Sequence, residues 1–525
     1  MESNVVNCRG IAEETSQTEA GAAERFAKYM GREFRYCKDS KCWMQWDEET
    51  GRWSEASIST MINHIKILSD MIEDDIANIH GVGETDAEIA SNEKNRKKAA
   101  VSFVTKLRSA RNAKAVLEYV QSAVECNQDD FDSNAQYLGL PDGQVLDLVS
   151  QTVVKAERKM LLTKNLAGNI KSVVSEKFMK FIKAIFPDDE LRDYVQKYVG
   201  SALLGYKLRN ASDKNALFMD SSVPDTGKSA FLSMLECAMG DYYKTATKSL
   251  ICGKEKSGSD NDPELAGTVG ARIVGISECS VKDVLSTRFK QLTGNDAMLT
   301  KLLYKNTFEF RPNYKIILVS NYLPQLRNAE DIAERRRIRR YCFNHTIEET
   351  EDDIFKIIEE QDFRDDAITW LVEGCKKYLN EGKLLDDYKG DNLPKSKLPA
   401  EIKASMASYF QENDDAGDFI TTWYTISEDS HDFVSLLQMW ECWLDNNYDR
   451  TIKQREFNKN IKDLLSRRYK LEFVKRPYRK ETKEGDFIDV NGWGFAGIKN
   501  FSVASEKKKE IQQKKKKVDL KIVNQ

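Results

Sequence analysis

Apolar residues recur at helical spacing near the start of the chain: Ala23, Phe26, Ala27 and Met30 share one face, and Gly31 stops the run. The period then shortens. Phe34, Tyr36, Trp43, Trp46 and Trp53, interrupted by the turn Glu49-Thr50-Gly51, predict short strands of a small sheet. Their aromatics are expected in its core rather than on a stacking surface for nucleic acid. Residues 95–106 are basic and helix-compatible and read as a solvated face. Apolar stretches on both sides of Pro141-Asp142-Gly143 predict a hairpin within residues 131–148. Over 177–208 the helical pattern returns, with Phe178, Phe181, Ile182 and Ile185, a break at Pro187, then Leu191, Tyr194, Val195 and Tyr198. Between Ala216 and Asn321 strands alternate with helix, as in an α/β unit around a central sheet. Residues 351–400 read as helical and acidic, then as loop at Pro394 and Pro399. Helices and two short strands around 478–492 complete the pattern up to Ile498.

These changes divide the chain into an α+β first unit over 1–165, an α/β core over 175–345 and a helical linker or lid over 346–400. A third unit over 401–500 and a basic tail over 501–525 follow. At roughly 150 residues per domain, the 525 residues suit about this division. The 23 Phe, 20 Tyr and 8 Trp exclude disorder for the bulk of the chain. No apolar run approaches the ~18 residues of a membrane span. Met1 to Gly10 lacks a basic-then-apolar leader, so the expected location is the cytoplasm of a host cell. Ten cysteines without a CxxC pair, and four His, favour free thiols over a metal centre. The net charge of −4 hides an asymmetry: residues 451–525 hold 21 Lys and Arg against 10 Asp and Glu, a net of +11. A basic end on an acidic body points to an anionic partner, nucleic acid first.

The sharpest local signal is Ala216-Leu217-Phe218-Met219-Asp220-Ser221-Ser222-Val223-Pro224-Asp225-Thr226-Gly227-Lys228-Ser229. An apolar strand enters a tight loop and then a helix, the context a phosphate-binding loop requires. Its amides and the helix N-terminus would face phosphate, Lys228 would reach the β/γ oxygens, and Ser229 would be a ligand for magnesium. Ser222 stands where the pattern has Gly, whose backbone freedom would cost another residue roughly 1–3 kcal/mol. A second acid is expected at Glu278, closing the apolar strand Ala271-Arg272-Ile273-Val274-Gly275-Ile276-Ser277 on what should be a neighbouring parallel strand. A third strand ends at Asn321, which either orients water or caps a turn before Pro324. Five arginines then fall within residues 335–340, more than a solvated face needs.

The order of phosphate loop, strand-terminal acid, Lys290-Gln291-Leu292-Thr293-Gly294-Asn295-Asp296, Ser320-Asn321 and Arg336-Arg337-Ile338 resembles the superfamily 3 helicases. It looks most like their poxvirus-type and phage or plasmid primase–helicase branch. The nearest likeness covers 289–324, including Leu303-Tyr304 and Phe310-Arg311-Pro312. Gly51-Arg52-Trp53 and Leu140-Pro141-Asp142-Gly143 extend it into the first unit.

That resemblance implies a P-loop, AAA+-like ATPase core that uses ATP and Mg2+, binds DNA and assembles as a homo-oligomer, a hexameric ring. Ser222, Val223, Pro224, Asp225, Thr226, Gly227, Lys228 and Ser229 would hold the triphosphate, and Ser229 with Glu278 the metal. Asn321 would sense the γ-phosphate. Arg337, or else Arg336, would act on a neighbour's ATP. Lys305, with Lys301 second, would reach DNA in the central channel from a hairpin. The family usually has Gly at Ser222 and Pro224 and Asn at Thr226, departures that bear on the rate of hydrolysis. Family members often carry a primase domain; the first unit here matches their middle domain, so a primase or polymerase is expected as a partner.

The third unit fits a winged helix. Phe457, Ile461, Leu464 and Leu465 share one face of a helix, with Lys459, Lys462, Arg467 and Arg468 on the other. Strand 471–474 and a basic turn at Lys475-Arg476-Pro477-Tyr478-Arg479-Lys480 would form the wing and touch phosphates. The expected activity is ATP-dependent DNA unwinding during replication of a phage, virus, plasmid or mobile element. Its rival is an ATP-binding replication initiator that binds origin DNA and unwinds weakly.

Overall fold

The computed structural model describes residues 10–205, 213–253, 262–280, 283, 285, 287–301, 307–326, 331–347, 354–381, 398–446, 448, 452–481 and 487–500. They form two compact units. The first comprises Met1–Glu278, Gln291–Asn321 and Phe343–Leu384; the second comprises Cys279–Lys290, Tyr322–Cys342 and Leu385–Gln525.

The first unit opens with α1 (Glu19–Tyr29), whose N-cap Thr18 accepts from Gly21 N at 3.2 Å. Strands β1 (Phe34–Cys37), β2 (Cys42–Asp47) and β3 (Arg52–Ala56) follow, then α2 (Ile58–Asp75), α3 (Asp86–Leu107), α4 (Ala110–Ala123) and β4 (Glu125–Cys126). The sheet order is β3-β2-β1-β4. Strand side chains alternate between faces, so Trp43 and Trp46, three apart, point to opposite sides. Trp43 joins Phe26, Phe34, Ile65 and Leu117 in a core under the helices. Trp46 and Trp53 join Phe131, Val145 and Leu162 in another. All three tryptophans are buried, as expected of core aromatics. Strands β5 (Tyr137–Leu140), β6 (Gln144–Asp147) and β7 (Thr152–Lys155) make an antiparallel meander. The turn after β5 places Asp142 and Gly143 in the left-handed region, which that Asp-Gly pair tolerates.

Helices α5 (Glu176–Ile185) and α6 (Asp189–Ala202) meet at the Pro187 break, where Asp188 caps α6 through Leu191 N. The parallel sheet of this unit is built from β8 (Ala216–Ser221), β9 (Tyr243–Ala246), β10 (Ile273–Ser277) and a later strand, β13 (Lys315–Val319). Before that strand lies an antiparallel hairpin, β11 (Met298–Lys301) with β12 (Thr307–Phe310). Helix α7 (Lys228–Met239) follows β8. The order is β8-β13-β10-β9, all parallel. β13 therefore separates β8 from β10, whereas direct adjacency of β8 and β10 was expected. Ala216 to Asp220 are buried, and so is all of β13, as parallel strands covered on both faces should be. Helices α8 (Ile354–Glu359) and α9 (Gln361–Glu381) complete the unit. α9 lies tight on α6: a Cβ on Gly200 would fall 2.3 Å from Cys375 N.

In the second unit β14 (Ile338–Phe343) leads back to the first unit at its last residue. Helices α10 (Ala400–Glu412) and α11 (Asp415–Trp423) precede β15 (Tyr424–Ile426), β16 (Phe433–Ser435), α12 (Leu436–Asp445) and α13 (Gln454–Arg467). β17 (Phe473–Glu481), β18 (Phe487–Ala496) and β19 (Ile498–Asn500) close it. Phe419, Trp443, Phe457, Ile461, Leu464 and Phe495 share a core. The expected basic turn is not a turn: Lys475 to Lys480 lie inside β17, paired residue by residue from Phe473↔Phe495 to Glu481↔Phe487. Alternate residues of β17 are exposed, so its charges split between two faces. The tail 501–525 and Lys305 lie outside the described residues.

Candidate functional site

The loop between β8 and α7 turns at the carboxyl edge of the parallel sheet, where open α/β sheets bind ligands. Two residues there have positive φ: Asp225 (52°) and Gly227 (77°). Ser222 is not among them, so the Gly expected at its position has no backbone strain to relieve. Ser222 N instead donates to Phe343 O at 3.1 Å, and Ile347 N donates to Asp225 O at 2.9 Å, pinning the loop at two points. A Cβ on Gly227 would meet the side chains of Ile185 and Ile347 at 2.7 and 2.9 Å, so only Gly fits this left-handed, enclosed position.

Gly227 is the N-cap of α7, and no side chain caps that helix. Its first amides are thus left for an anion, in a helix long enough for its dipole to favour one. Lys228 is buried; its Nζ donates to Ser221 Oγ and, at 3.3 Å, to Thr226 Oγ1. A cavity of about 510 Å³ opens beside it, lined by Pro224 to Ala230 and by Asn321. Buried lysine, uncapped helix and cavity together fit a polyphosphate.

The cavity extends over a wall that sequence reading missed: Lys177, Lys180, Phe181 and Ile185 of α5, and Ile347, Ile354, Phe355 and Phe363. Phe355 is 53% exposed. The only signal in the sequence was the i, i+3 pair Lys177 and Lys180 beside Phe181, hidden within an ordinary amphipathic pattern.

Of the residues singled out from sequence, Pro224, Asp225, Thr226, Gly227, Lys228, Ser229 and Asn321 meet at this cavity; Ser222, Val223 and Glu278 are not in its lining. Glu278 follows β10, and the register puts Ser277 opposite Val319 and Val319 opposite Met219. Asp220, Ser320 and Glu278 are therefore successive at the sheet's carboxyl edge, with Glu278 two strands from β8. Glu278 is exposed and its φ is 63°, a conformation unusual for a non-glycine residue. Among the described residues no group of three or more His, Cys, Asp or Glu is arranged to hold a metal. Ser229 follows Lys228 in the cavity lining, which also holds the oxygen-bearing side chains of Asp225, Thr226 and Asn321.

The arginine run belongs to the second unit. Arg335 stacks over the Phe410 ring at 4.7 Å, and Arg340 lies 5.5 Å from the Tyr409 ring while NH1 donates to Ser405 O at 3.2 Å. Arg339 NH1 donates to Ile338 O at 2.8 Å, and Arg337 NH1 to Ala333 O at 2.7 Å. Arg336 is the exposed member. Lys290 is paired with Asp331 and, at 3.1 Å, with Glu334. Lys301 ends β11. On α13, Lys459 and Lys462 line a second cavity, Arg467 lies 3.6 Å from Asp463, and Arg468 holds Asp414 at 2.5 Å. Arg476 NH1 donates to Ser430 O at 2.5 Å.

Residues 23–187 match the family described as D5 N terminal like. The mimivirus protein named Putative helicase L207/L206 (Acanthamoeba polyphaga mimivirus) is 24% identical over 57% of this chain and 32% of its own length. Putative helicase 184R of Invertebrate iridescent virus 6 is 23% identical over 74% of this chain and 42% of its own length. The chain thus spans about a third to two-fifths of the length of these two curated relatives. Among solved structures, the apo C-terminal region of NrS-1 aligns over 87% of this chain and 96% of that one, at 9% identity and a TM-score of 0.42. No described helix is long and apolar enough to cross a membrane. Residues 23–187 therefore carry a D5-type N-terminal domain, and viral proteins named as putative helicases are among the chain's relatives.

Proposed function

We propose that this chain is an ATP-dependent DNA helicase of superfamily 3, working in replication of a virus, phage, plasmid or mobile element. The observation that carries the reading is the cavity where buried Lys228, the uncapped start of α7, Ser229 and Asn321 converge. ATP with Mg2+, when bound, supplies the phosphoanhydride bond whose cleavage drives movement. Lys228 and the α7 amides hold the phosphates and neutralise charge that builds on them. Ser229 would be a ligand for the metal, Asn321 would orient water at the γ-phosphate, and Glu278, at the same carboxyl edge of the sheet, would polarise that water. The apolar wall from Phe181 to Phe363 receives the base. Subunits form a ring, a hexamer in this reading, in which Arg336 or Arg337 reaches a neighbour's site. The second unit contains a winged helix and the first an AAA+-like core, and a primase or polymerase is a natural partner.

A second reading is an ATP-binding initiator that unwinds weakly, and the position of Glu278 outside the cavity lining favours it. Steady-state ATP hydrolysis with and without single-stranded DNA separates the two. Stimulation by the strand supports the helicase. Slow turnover indifferent to DNA supports the initiator, and absence of nucleotide binding refutes both.

A further inference from the structure

The hairpin β17–β18 presents two unlike faces. Directly paired residues of antiparallel strands share a side. Phe473 with Phe495, Lys475 with Trp493, Pro477 with Asn491 and Arg479 with Asp489 therefore line one face. The opposite face is engaged by its own unit: Arg476 donates to Ser430 O, Lys480 Nζ reaches Glu441 Oε1 at 2.8 Å, and the Tyr478 ring lies 6.3 Å from that of Phe433.

The first face is open along most of its length. Lys475, Pro477, Arg479, Asp489, Asn491 and Trp493 are all exposed, Trp493 at 53%. The indole does not hang loose, because it stacks on Phe473 with centroids 5.1 Å apart and planes 16° from parallel. Lys462 Nζ of α13 sits 4.0 Å from the centroid of Phe473. Lys475, directly across from Trp493, has no ion-pair partner among the described residues. Among the described residues Arg479 pairs only with Asp489, at 3.7 Å, and both are about four-fifths exposed, a pair of little energetic weight.

A flat, pre-stacked aromatic between cations is complementary to a polyanion whose own flat faces are accessible. Nucleobases offer those faces only when unpaired; in a duplex they are covered by their neighbours. We propose that this face of β17–β18 binds single-stranded nucleic acid, with Trp493 stacked on an unpaired base and Lys475, Arg479 and Lys462 on the flanking phosphates. The inference deepens the proposed function and rests on it for the presence of an unpaired strand. It does not depend on ATP hydrolysis.

The test measures anisotropy of a labelled oligothymidylate, and of a blunt duplex, with the full chain. Trp493→Ala should weaken oligothymidylate binding by roughly five- to a hundredfold, the usual value of one base–aromatic stack. Its affinity for duplex, its ATPase without DNA and its melting midpoint should stay as in the unaltered chain. Trp493→Phe should keep most of the affinity. Lys475→Ala should flatten the salt dependence by about 0.7 in log–log slope, whereas Trp493→Ala should leave the slope unchanged. Should Trp493→Ala unfold early, Trp493→Phe and Lys475→Ala decide: unchanged slope in the lysine variant overturns the proposal. Equal affinity of Trp493→Ala and the unaltered chain, or an equal loss on duplex, also overturns it. Those failures leave the helicase reading standing if the unaltered chain still binds the strand and hydrolyses ATP. A chain that binds no oligothymidylate refutes both.

Discussion

The loop at 222–229 has one cation and the segment at 335–340 has five, yet it is the single lysine that the fold turns toward a cavity. The two segments also begin their helices differently. α7 starts at Gly227 without a side-chain cap, so its amides face outward. The short helix Ile332–Arg335 starts at Asp331, whose carboxylate accepts from Ala333 N and Glu334 N and is paired with Lys290. Guanidinium groups of Arg335 and Arg340 lie on Phe410 and Tyr409, covering apolar surface with their stems and rings with their charge. Charge density along the chain is therefore a poor guide to chemistry. What matters is whether the donors around a cation are already satisfied by the fold.

The largest test of that contrast is Lys228→Ala. It should lower ATP turnover by about two orders of magnitude or more, because a preorganised donor to developing phosphate charge is lost. Phosphate release at saturating ATP measures it, and near-normal turnover would take the loop out of the mechanism. Next comes mixing. Arg336→Ala and Lys228→Ala should each be almost inactive alone, and subunit exchange should restore part of the ATPase if the finger serves a neighbour's site. Arg337→Ala, whose NH1 is committed to Ala333 O, should show the smaller defect. Recovery with Arg337→Ala and none with Arg336→Ala would reverse the assignment.

Stability should order the arginines the other way. Arg340→Ala should cost about 1.5–3 kcal/mol, since a charged hydrogen bond to Ser405 O and the stack on Tyr409 are lost from a buried site. Arg336→Ala should stay within about 0.5 kcal/mol, as exposed substitutions do. Urea unfolding followed by tryptophan fluorescence compares them, and equal losses would erase the distinction between packed and presented arginine. The smallest effect is expected at Ser222→Gly. With Ser222 outside the positive-φ residues, ATPase should change by less than about twofold, whereas Asp225→Gly should relieve up to about 1 kcal/mol of left-handed strain. A large gain from Ser222→Gly in the same assay would show that its backbone is strained after all.

Much of the local order was legible in the chain. The Pro187 break, the Asp142-Gly143 turn and the buried Trp43, Trp46 and Trp53 follow from period and turn chemistry, which act over a few residues. So did the strand, loop and helix around Lys228. The wall of the cavity was not legible, because Phe181, Ile347 and Phe363 come from segments whose meeting depends on how α5 and α9 pack. The basic stretch 475–480 read as a turn because its charges suggested exposure. In fact its alternation allows a long strand with one engaged face and one open face.

By itself the sequence determined most of the local helix and strand pattern, where the glycine-bearing loop must turn, and that one end of the chain is basic. These are properties of local sterics, hydrophobic period and charge count. Only the tertiary structure decided that β13 lies between β8 and β10, that Glu278 stands two strands from the loop, and that Arg335 and Arg340 serve packing. Strand order and burial are set by which distant apolar faces satisfy one another, and that choice is made by the whole core at once rather than by any stretch of residues.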